Sequence, residues 1–377
     1  MVGSAIAYFL ALDGACRVTV LERDPTYARA SSALSASSIR QQFSSPVNIA
    51  LSQFGIGFLR SVADHLEVAG EAPVIGLREP GYLYLAGPAG VAVLQANHAV
   101  QRAHGATVAL LDPAGLRARF DWLSLDGVAL GSLGLDGEGW FDGPALMQGF
   151  RRKARALGAA YRHDEAVGFE REGDRVSAVL TARGGRLACG VAVNAAGPNA
   201  RAVAAMAGIA LPVEARKRSV FVLACRETLP GCPLVIDTTG VWFRPEGDRF
   251  LAGWSPPEPQ DAEDFGLEVD HHLFEDVVWP ALAARVPAFA AVRVTGAWAG
   301  HYEYNTFDQN GLLGALPEAP NLIFAAGFSG HGMQQAAGVG RGISELILHG
   351  GYRSLDLSAL DVGRVAAARP LRELNII

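Results

Sequence analysis

The chain has 377 residues, half of them hydrophobic, and a formal net charge of −6. Such a length can bury a large core, in two domains or in one composite domain. The charged fraction of 19% is low and no half of the chain is strongly basic, which excludes a typical nucleic-acid-binding surface. The apolar runs stay well below the roughly 18 residues of a membrane span, and the N-terminus lacks a signal-peptide pattern. We therefore expect no transmembrane segment and no nucleic-acid partner.

The cysteine and lysine content limits the metal sites and the catalytic residues that the protein could have. The four cysteines show no Cys-x-x-Cys spacing, so we interpret them as reduced core thiols of an intracellular protein, with disulfides or metal ligands as the alternative, and predict no metal site. The expected location is the cytoplasm, with peripheral attachment to the inner membrane as the alternative. Lysine occurs only at Lys153 and Lys217, against thirty arginines, which limits the residues that could act as a catalytic lysine.

The first forty residues predict part of a dinucleotide-binding βαβ unit. Gly3 precedes a helix of small and apolar residues over 4–12, and Gly14 ends it. A short buried strand over 17–21 then ends at Glu22, whose carboxylate could accept hydrogen bonds from the ribose hydroxyls of an adenine nucleotide. An ordinary helix–strand pair is the alternative interpretation of this pattern.

If the segment is part of a dinucleotide-binding unit, Gly3 is the third glycine of the G-x-G-x-x-G motif, at which helix and strand pack closely. The first strand and the first two glycines of the motif do not precede it. We therefore expect that the functional protein starts upstream of Met1, with a short apolar strand that ends in two glycines.

The later segments alternate between strands and helices. Helices are predicted over 143–157, 270–285 and 333–349, the last with small residues on one face, and strands over 81–86, 191–197, 219–225, 241–244, 250–254 and 322–326. No repeat, low-complexity tract or long linker interrupts them. Segments from both ends should therefore meet in one cofactor domain, and the middle of the chain should supply a substrate domain.

A second glycine cluster lies at residues 324–333, Phe-Ala-Ala-Gly-Phe-Ser-Gly-His-Gly-Met. A strand that enters a glycine turn before a helix points backbone N–H groups at one spot, where they can stabilise the negative charge of a reduced flavin. This cluster resembles the C-terminal flavin motif of the D-amino-acid oxidase, glycine oxidase and sarcosine oxidase superfamily. Segments 238–240, 298–311 and 373–377 are similar to one branch of it, linked in mitochondria to the assembly of respiratory complex I.

The resemblance covers nearly the whole chain and implies an α/β fold. A Rossmann-like FAD-binding domain would comprise residues 1–75, 136–215 and 306–377, and a substrate domain with a mostly antiparallel sheet would comprise 76–135 and 216–305. Several sarcosine oxidases attach the flavin to a cysteine. The corresponding segment 298–302 has none, so the resemblance implies noncovalent FAD.

The cofactor contacts that the resemblance implies are spread along the chain. They are Gly3, Glu22 and Arg23 at the first nucleotide turn, Ser31 and Ser32 near the pyrophosphate and ribityl chain, Val167 at the adenine, Ala196 and Gly197 at a second turn, and Gly327, Gly330, His331, Gly332, Met333 and Gln334 at the flavin. The last of these replaces a lysine of the family motif.

The substrate side is implied by a smaller set of residues. Arg40 matches an arginine that binds the substrate carboxylate in the sarcosine oxidase group, because its planar fork can donate two hydrogen bonds. A structural arginine that bonds loop carbonyls is the alternative. His301 and Tyr302 would be catalytic residues on the same side, although aromatic residues in a strand more often belong to a core. His331 is better explained as a residue that holds the turn than as a proton carrier.

The implied reaction is oxidation of the C–N bond of a small amine or amino acid, with hydride transfer to flavin N5. Segment 250–254 lacks the oxygen-activating lysine of sarcosine oxidases, and Lys217 is the only other lysine that could take that role. His331 or Arg218 could supply the positive charge instead. This favours a dehydrogenase that passes electrons to a quinone or an electron-transfer flavoprotein. The alternative function is an assembly factor that keeps FAD as a structural or redox-sensing element and binds respiratory-complex subunits.

Overall fold

A computed structural model describes residues 1–374, so the last three residues of the family-like segment 373–377 lie outside the described part. The helices are α1 Val2–Asp13, α2 Pro46–Arg60, α3 Val62–Leu66, α4 Val91–Ala103, α5 Pro113–Arg119, α6 Gly143–Ala156, α7 Ala200–Ala205, α8 Trp279–Arg285 and α9 Gly332–His349. The strands are β1 Thr19–Glu22, β2 Ser38–Ile39, β3 Tyr82–Ala86, β4 Val108–Leu111, β5 Leu130–Gly134, β6 Gly139–Trp140, β7 Ala160–His163, β8 Ala166–Glu172, β9 Arg175–Thr181, β10 Arg186–Ala188, β11 Ala192–Asn194, β12 Val213–Ala224, β13 Leu234–Ile236, β14 Trp242–Glu246, β15 Arg249–Gly253, β16 Arg293–Asn305, β17 Leu312–Leu316 and β18 Ala319–Ala326.

The largest sheet has eight strands in the order β16-β12-β15-β14-β13-β3-β5-β4. All neighbours in it are antiparallel except β13 and β3. The long pair of β12 and β16 runs from Val213 opposite Asn305 to Ala224 opposite Arg293. This confirms the predicted mostly antiparallel sheet. A core of phenylalanines and aliphatic residues packs against it, including Phe221, Phe243 and Phe289.

Parallel pairing joins segments that are far apart in the chain. β1 pairs with β7, from Thr19 opposite Ala160 to Glu22 opposite His163. β11 pairs with β18, and β17 adds an antiparallel edge to that pair. Segments near residues 20, 160, 193 and 323 therefore build the second layer with the helices, which confirms the predicted α/β class.

Helix α1 is the centre of the helical layer, since its residues 4–11 are all buried. It packs on α9 and α6. A side chain at Gly340 of α9 would place its Cβ 2.9 Å from the backbone carbon of Ala5, so glycine allows the close approach. A Cβ added to Gly55 of α2 would likewise lie 2.5 Å from the carbonyl oxygen of Gln334, so glycine allows this approach as well. The small-residue face predicted for the last helix is thus its packing face.

Two sequence predictions differ from the structure. The strand predicted as buried over 17–21 is instead β1, in which Thr19 is exposed and the other residues are half-buried; within the described residues only β7 pairs with it. The helix predicted over 270–285 begins at His272 and is irregular, because a π-helical turn over Phe274–Val278 interrupts it before α8. Pro280 explains the irregular turn, because proline has no N–H to donate to the preceding turn.

No helix among residues 1–374 is long and apolar enough to cross a membrane. The four cysteines are all free thiols, but the prediction that they lie in the core is wrong for Cys16, which is exposed, and Cys189 and Cys225 are half-buried. Burial raises the pKa of the Cys232 thiol far above its usual range, so this cysteine is a core residue.

Candidate functional site

A cleft of about 1560 Å³ runs between the helical layer and the large sheet. Small-molecule pockets have roughly 300–1,000 Å³, so this cleft can hold an extended dinucleotide. Most predicted site residues line it: Gly3, Glu22, Arg23, Ser31, Ser32, Arg40, Ala196, Gly197, His301, Tyr302, Gly330, His331, Gly332, Met333 and Gln334. Residues from positions 3 to 334 are thus brought to one surface by the parallel pairs described above.

The nucleotide end of the cleft is built by α1, β1 and the turn after β11. A Cβ at Gly3 would lie 3.4 Å from that of Ala195, so the start of α1 packs closely on the turn. Glu22 ends β1 and accepts a hydrogen bond from the backbone N–H of Asp24 at 2.9 Å. Gly197 adopts the left-handed conformation, with φ 58°, which allows the chain to turn under the cleft.

Two predicted contacts lie outside the cleft lining. Val167 points outward with 52% of its surface exposed, and its neighbour Ala166 lines the cleft instead, because successive side chains of a strand face opposite ways. Gly327 lies in a tight turn with φ 76°, packed against Asn305 and Val213, and its N–H donates to Oε2 of Glu303 at 3.0 Å. Gly327 therefore shapes the turn, and the cofactor contacts expected at Gly327 and at the backbone of Val167 stay predictions.

The flavin-like turn leads from β18 into α9. Ser329 and Gly330 both have positive φ, at 50° and 94°. A Cβ at Gly330 would lie 2.6 Å from the ring of Tyr302, so only glycine fits at this position. The N–H groups in the first turn of any α-helix have no carbonyl partner within the helix. The first turn of α9 begins with Gly332 and Met333, and both residues line the cleft. A helix start of this kind favours a ligand that carries negative charge.

The cleft fits FAD by the chemistry of its polar groups. The hydroxyl oxygens of Ser31 and Ser32 are buried and have no hydrogen-bond partner among the described residues. Buried polar groups in native proteins almost always have a partner, and hydroxyls can donate to phosphate oxygens. The Glu22 carboxylate suits ribose hydroxyls, and the start of α9 suits the pyrimidine edge of a flavin. Together these groups match the chemistry of the ribose, phosphate and flavin parts of the dinucleotide.

At the other end of the cleft, Arg40 and His331 form a buried pair. Nη2 of Arg40 lies 3.0 Å from Nε2 of His331. Arginine has only donors, so Nε2 accepts and the ring proton sits on Nδ1. Burial, and then the Arg40 charge, lower the pKa of His331 well below its usual range, which keeps the imidazole neutral. The histidine therefore holds Arg40 in place, in agreement with a role in the turn.

Arg40 is only 2% exposed, and the residues around it fix its orientation. Its backbone N–H donates to Oε1 of Gln334 at 2.8 Å, and Nη1 donates to the carbonyl oxygen of Gln42 at 2.5 Å. The guanidinium carbon lies 3.9 Å from the centre of the Phe43 ring and 5.7 Å from that of Tyr84. The predicted bond to a loop carbonyl is thus present, and the side chain also lines the cleft.

His301 and Tyr302 lie side by side on β16. Nε2 of His301 lies 2.9 Å from the carbonyl oxygen of Gly266, and burial lowers the pKa of its ring. The Tyr302 ring lies under Arg218 at 5.0 Å, and burial raises the pKa of its hydroxyl. Arg218 is itself fixed by two hydrogen bonds to Asp261, at 2.7 and 2.6 Å. Tyr302 is therefore a neutral donor at the cleft, and His301 anchors the segment that follows β15.

The sequence analysis missed two acids near the cleft, the buried Glu138 and the half-buried Glu303. Burial raises the pKa of Glu138 to about 7, and its oxygens accept from the N–H of Gln41 at 2.7 Å and from the amide of Gln42 at 2.8 Å. Burial also raises the pKa of Glu303, which lines the cleft, to about 7. Glu303 lies within the family-like segment 298–311, where an acid among aromatic residues could have drawn attention. Glu138 gave no such sign, because its partners lie far away in the sequence.

Neither lysine lines the cleft. Nζ of Lys217 lies 2.6 Å from Oδ2 of Asp264, and Nζ of Lys153 donates to the carbonyl oxygen of Glu67 at 2.8 Å. The positive charges at the substrate end of the cleft are therefore arginines, Arg40 and Arg218.

Comparison with known proteins agrees with this geometry. A family described as FAD dependent oxidoreductase, or DAO, matches residues 1–346. The chain is 43% identical over 415 residues to FAD-dependent oxidoreductase domain-containing protein 1 of Xenopus laevis, covering 100% of this chain and 83% of that protein. It is 27% identical over 277 residues to the mitochondrial sarcosine dehydrogenase of Mus musculus, covering 70% of this chain and 30% of that protein.

A solved structure shows the same fold. The L-proline dehydrogenase from P. horikoshii aligns with a TM-score of 0.86 and 24% identity, over 98% of this chain and 96% of that chain. The family match spans most of the sequence, and the identity to the Xenopus laevis protein extends over all of it. The chain therefore belongs to the DAO family of FAD-dependent oxidoreductases.

Proposed function

We propose that this protein oxidises the C–N bond of a small amine or amino acid that carries a carboxylate. The observation that supports this most directly is the position of Arg40. This residue is buried, is oriented by His331 and lines the same cleft as the turn Gly330–Met333. A guanidinium fork at that position suits a carboxylate. Because the pair with His331 already fixes the side chain, little conformational entropy is lost when a ligand binds. FAD supplies the hydride acceptor when it is bound.

The surrounding residues would orient the substrate and exclude water. Arg40 would bind the carboxylate, and the neutral hydroxyl of Tyr302 would donate a hydrogen bond beside it. Neither Tyr302, with its raised pKa, nor His331, with its lowered pKa, is in a state to exchange a proton near neutral pH. The contribution of these two residues to the reaction would therefore be positioning and electrostatics, and Glu303, with its pKa near 7, is the residue at the cleft that could exchange a proton.

FAD would be held noncovalently and reoxidised by a partner other than oxygen. Segment 298–302, which matches the covalent attachment site of some sarcosine oxidases, contains no cysteine. Both lysines are engaged outside the cleft, so no lysine ammonium there would stabilise developing superoxide. A quinone or an electron-transfer flavoprotein is the acceptor class that we propose. The sarcosine dehydrogenase and L-proline dehydrogenase similarities support this choice.

The substrate class is tested by anaerobic reduction of the bound flavin. The purified holoprotein is mixed with N-methyl amino acids, D-amino acids and L-proline, and the flavin absorbance near 450 nm (roughly the flavin maximum) is followed. Bleaching by one of these substrates is expected. If none of them bleaches the flavin, the alternative function as an assembly factor that binds respiratory-complex subunits is favoured instead.

The acceptor class is tested on the reduced protein. After anaerobic reduction the protein is mixed with air-saturated buffer or with a soluble quinone in a stopped-flow instrument. We expect fast reoxidation by the quinone and slow reoxidation by oxygen. Rapid formation of stoichiometric hydrogen peroxide that is lost in Lys217→Met would contradict the dehydrogenase proposal.

A further inference from the structure

Segment 371–374 reaches across the molecule to the loop that carries Arg40. The backbone N–H of Leu371 donates to Oδ2 of Asp308 at 2.9 Å, and its carbonyl oxygen accepts from Nδ2 of Asn310 at 2.5 Å. The backbone N–H of Leu374 donates to Oγ of Ser44 at 2.9 Å. These bonds fix the segment at both ends and hold Glu373 against residues 40–45, which we call the Arg40 loop.

The carboxyl group of Glu373 is 95% buried and accepts four hydrogen bonds. Its Oε1 accepts from the backbone N–H and the hydroxyl of Ser44, both at 2.6 Å. Its Oε2 accepts from the hydroxyl of Ser45 at 3.0 Å and from Nδ2 of Asn48 at 3.2 Å. Three of these bonds hold the end of the Arg40 loop, and the fourth reaches the first turn of α2.

The bonds also complete the start of helix α2. Ser45 is the residue before its first turn, and the side chain of Ser45 makes no capping bond of its own. The acidic side chain of Glu373 therefore lies at a helix N-terminus, where the helix dipole favours it. Asn48 in the first turn links this contact to Gln335 of α9 through a 3.0 Å bond. The start of α2 is thus tied to the helix that forms the flavin-like turn.

The other end of the Arg40 loop is fixed by Glu138 through Gln41 and Gln42. Between the two acids lie Phe43, whose ring supports the Arg40 guanidinium, and the Gln42 carbonyl that accepts from it. A shift of the loop at Ser44 would therefore move both groups on which the guanidinium rests.

We propose that Glu373 is a positioning residue for Arg40, which sets the affinity for a substrate carboxylate without touching the substrate. This inference rests on the proposed function of Arg40. A misplacement of about 1 Å in a binding group can cost up to about 100-fold in rate, so a loosened loop should have a measurable effect on binding.

The test compares Glu373→Gln with Glu345→Gln in the holoprotein. Glu345 is a matched control, because it is also buried and accepts bonds from Ser354 and from the N–H groups of Arg353 and Ser354, away from the cleft. The dissociation constant of benzoate is measured from the change in flavin absorbance. Hydrogen exchange is measured for the amides of residues 43–49, and the melting temperature is measured for both variants.

We expect Glu373→Gln to raise the dissociation constant of benzoate about tenfold and to speed exchange at residues 43–49, while flavin stays bound. Glu345→Gln should lower the melting temperature without either effect. If Glu373→Gln does not fold, Ser45→Ala removes one of the four bonds and should shift both readouts in the same direction by less. Equal benzoate affinity in wild type and Glu373→Gln would overturn the inference.

The two proposals can fail separately. If the wild type neither binds benzoate nor is reduced by any amine, the proposed function of Arg40 is wrong and the substrate part of the inference is wrong with it. Hydrogen exchange then still shows whether Glu373 holds the Arg40 loop, since unchanged exchange in Glu373→Gln would contradict the structural part as well.

Discussion

The proposed binding of a substrate carboxylate depends on one residue, the buried arginine at the substrate end of the cleft. Arg40 has a neutral histidine, an aromatic ring and a loop carbonyl around its guanidinium. Each of these contacts helps to fix the orientation of the guanidinium. The residue is therefore organised before a substrate arrives.

Arg40→Ala should weaken the binding of a carboxylate inhibitor while FAD remains bound. Loss of charge-assisted hydrogen bonds costs about 1.5–3 kcal/mol, or roughly a factor of 10 to 100 in the dissociation constant. The binding of benzoate and the flavin content are measured together. Arg244→Ala is the control, because Arg244 is also buried against an aromatic ring, Trp140, but does not line the cleft. Loss of flavin in Arg40→Ala with unchanged benzoate affinity would place Arg40 in the cofactor site instead.

Glu138 predicts a pH dependence of stability. Its pKa is raised from 4.5 to about 7 in the folded protein, so the folded state binds one more proton than the unfolded state between these values. Stability from this group is fully present below pH 4.5 and is lost as the pH rises to about 7, by about 3 kcal/mol. Relative to Glu138→Gln, the wild type should lose stability to urea between pH 5 and pH 7.5.

Glu345→Gln is the control for this measurement. The pKa of Glu345 is lowered to about 2 by hydrogen bonds with Ser354 and Arg353 that outweigh its burial, so its contribution does not change between pH 5 and pH 7.5. Its stability profile should therefore run parallel to that of the wild type. A parallel profile for Glu138→Gln as well would show that Glu138 is ionised across this range.

Among the helices, glycines at the contact positions allow α1 and α2 to pack closely on α9. The sequence predicted the final helix and its small-residue face, because that pattern is local and periodic. It did not predict the exposure of β1, since that depends on the neighbours of the strand. It also did not predict the π-helical turn before α8, although Pro280 in the same segment explains that turn. Among the site residues, Gly3, Glu22 and the turn 330–334 could be located from motifs. Glu138 and Glu373 could not, because each acts on a loop that only the tertiary fold brings near.

Two glycine-to-alanine substitutions in helices should have opposite signs. Gly340→Ala places a methyl group 2.9 Å from Ala5 of α1 and should destabilise the fold by about 1–3 kcal/mol. Gly57→Ala in α2 meets nothing within 4 Å and should stabilise it by about 0.5–1 kcal/mol, because alanine favours the helix. Urea unfolding of both variants measures the difference. A stabilised Gly340→Ala would show that α1 and α9 can move apart without cost.

At the scale of the whole molecule, the cleft joins parts of the chain that serve different tasks. The ends and the middle of the sequence bring the groups that suit a dinucleotide, and the large sheet brings Tyr302 and Arg218 to the opposite wall. The α/β class and the antiparallel sheet followed from the resemblance of motifs over the whole chain. The ion pairs that hold segment 261–266 to β12, such as Lys217 with Asp264, were not predictable from the sequence.

The proposed role of Arg40 implies that this FAD-dependent oxidoreductase selects amines by their carboxylate. The most direct measurement is the anaerobic rate of flavin reduction by N-methyl amino acids and by the corresponding amides, which differ only in the charged group that Arg40 would bind. We predict reduction by at least one acid and a rate lower by a factor of 10 or more for its amide, since about 1.5 kcal/mol or more of binding is lost. Equal rates for acid and amide would contradict the account.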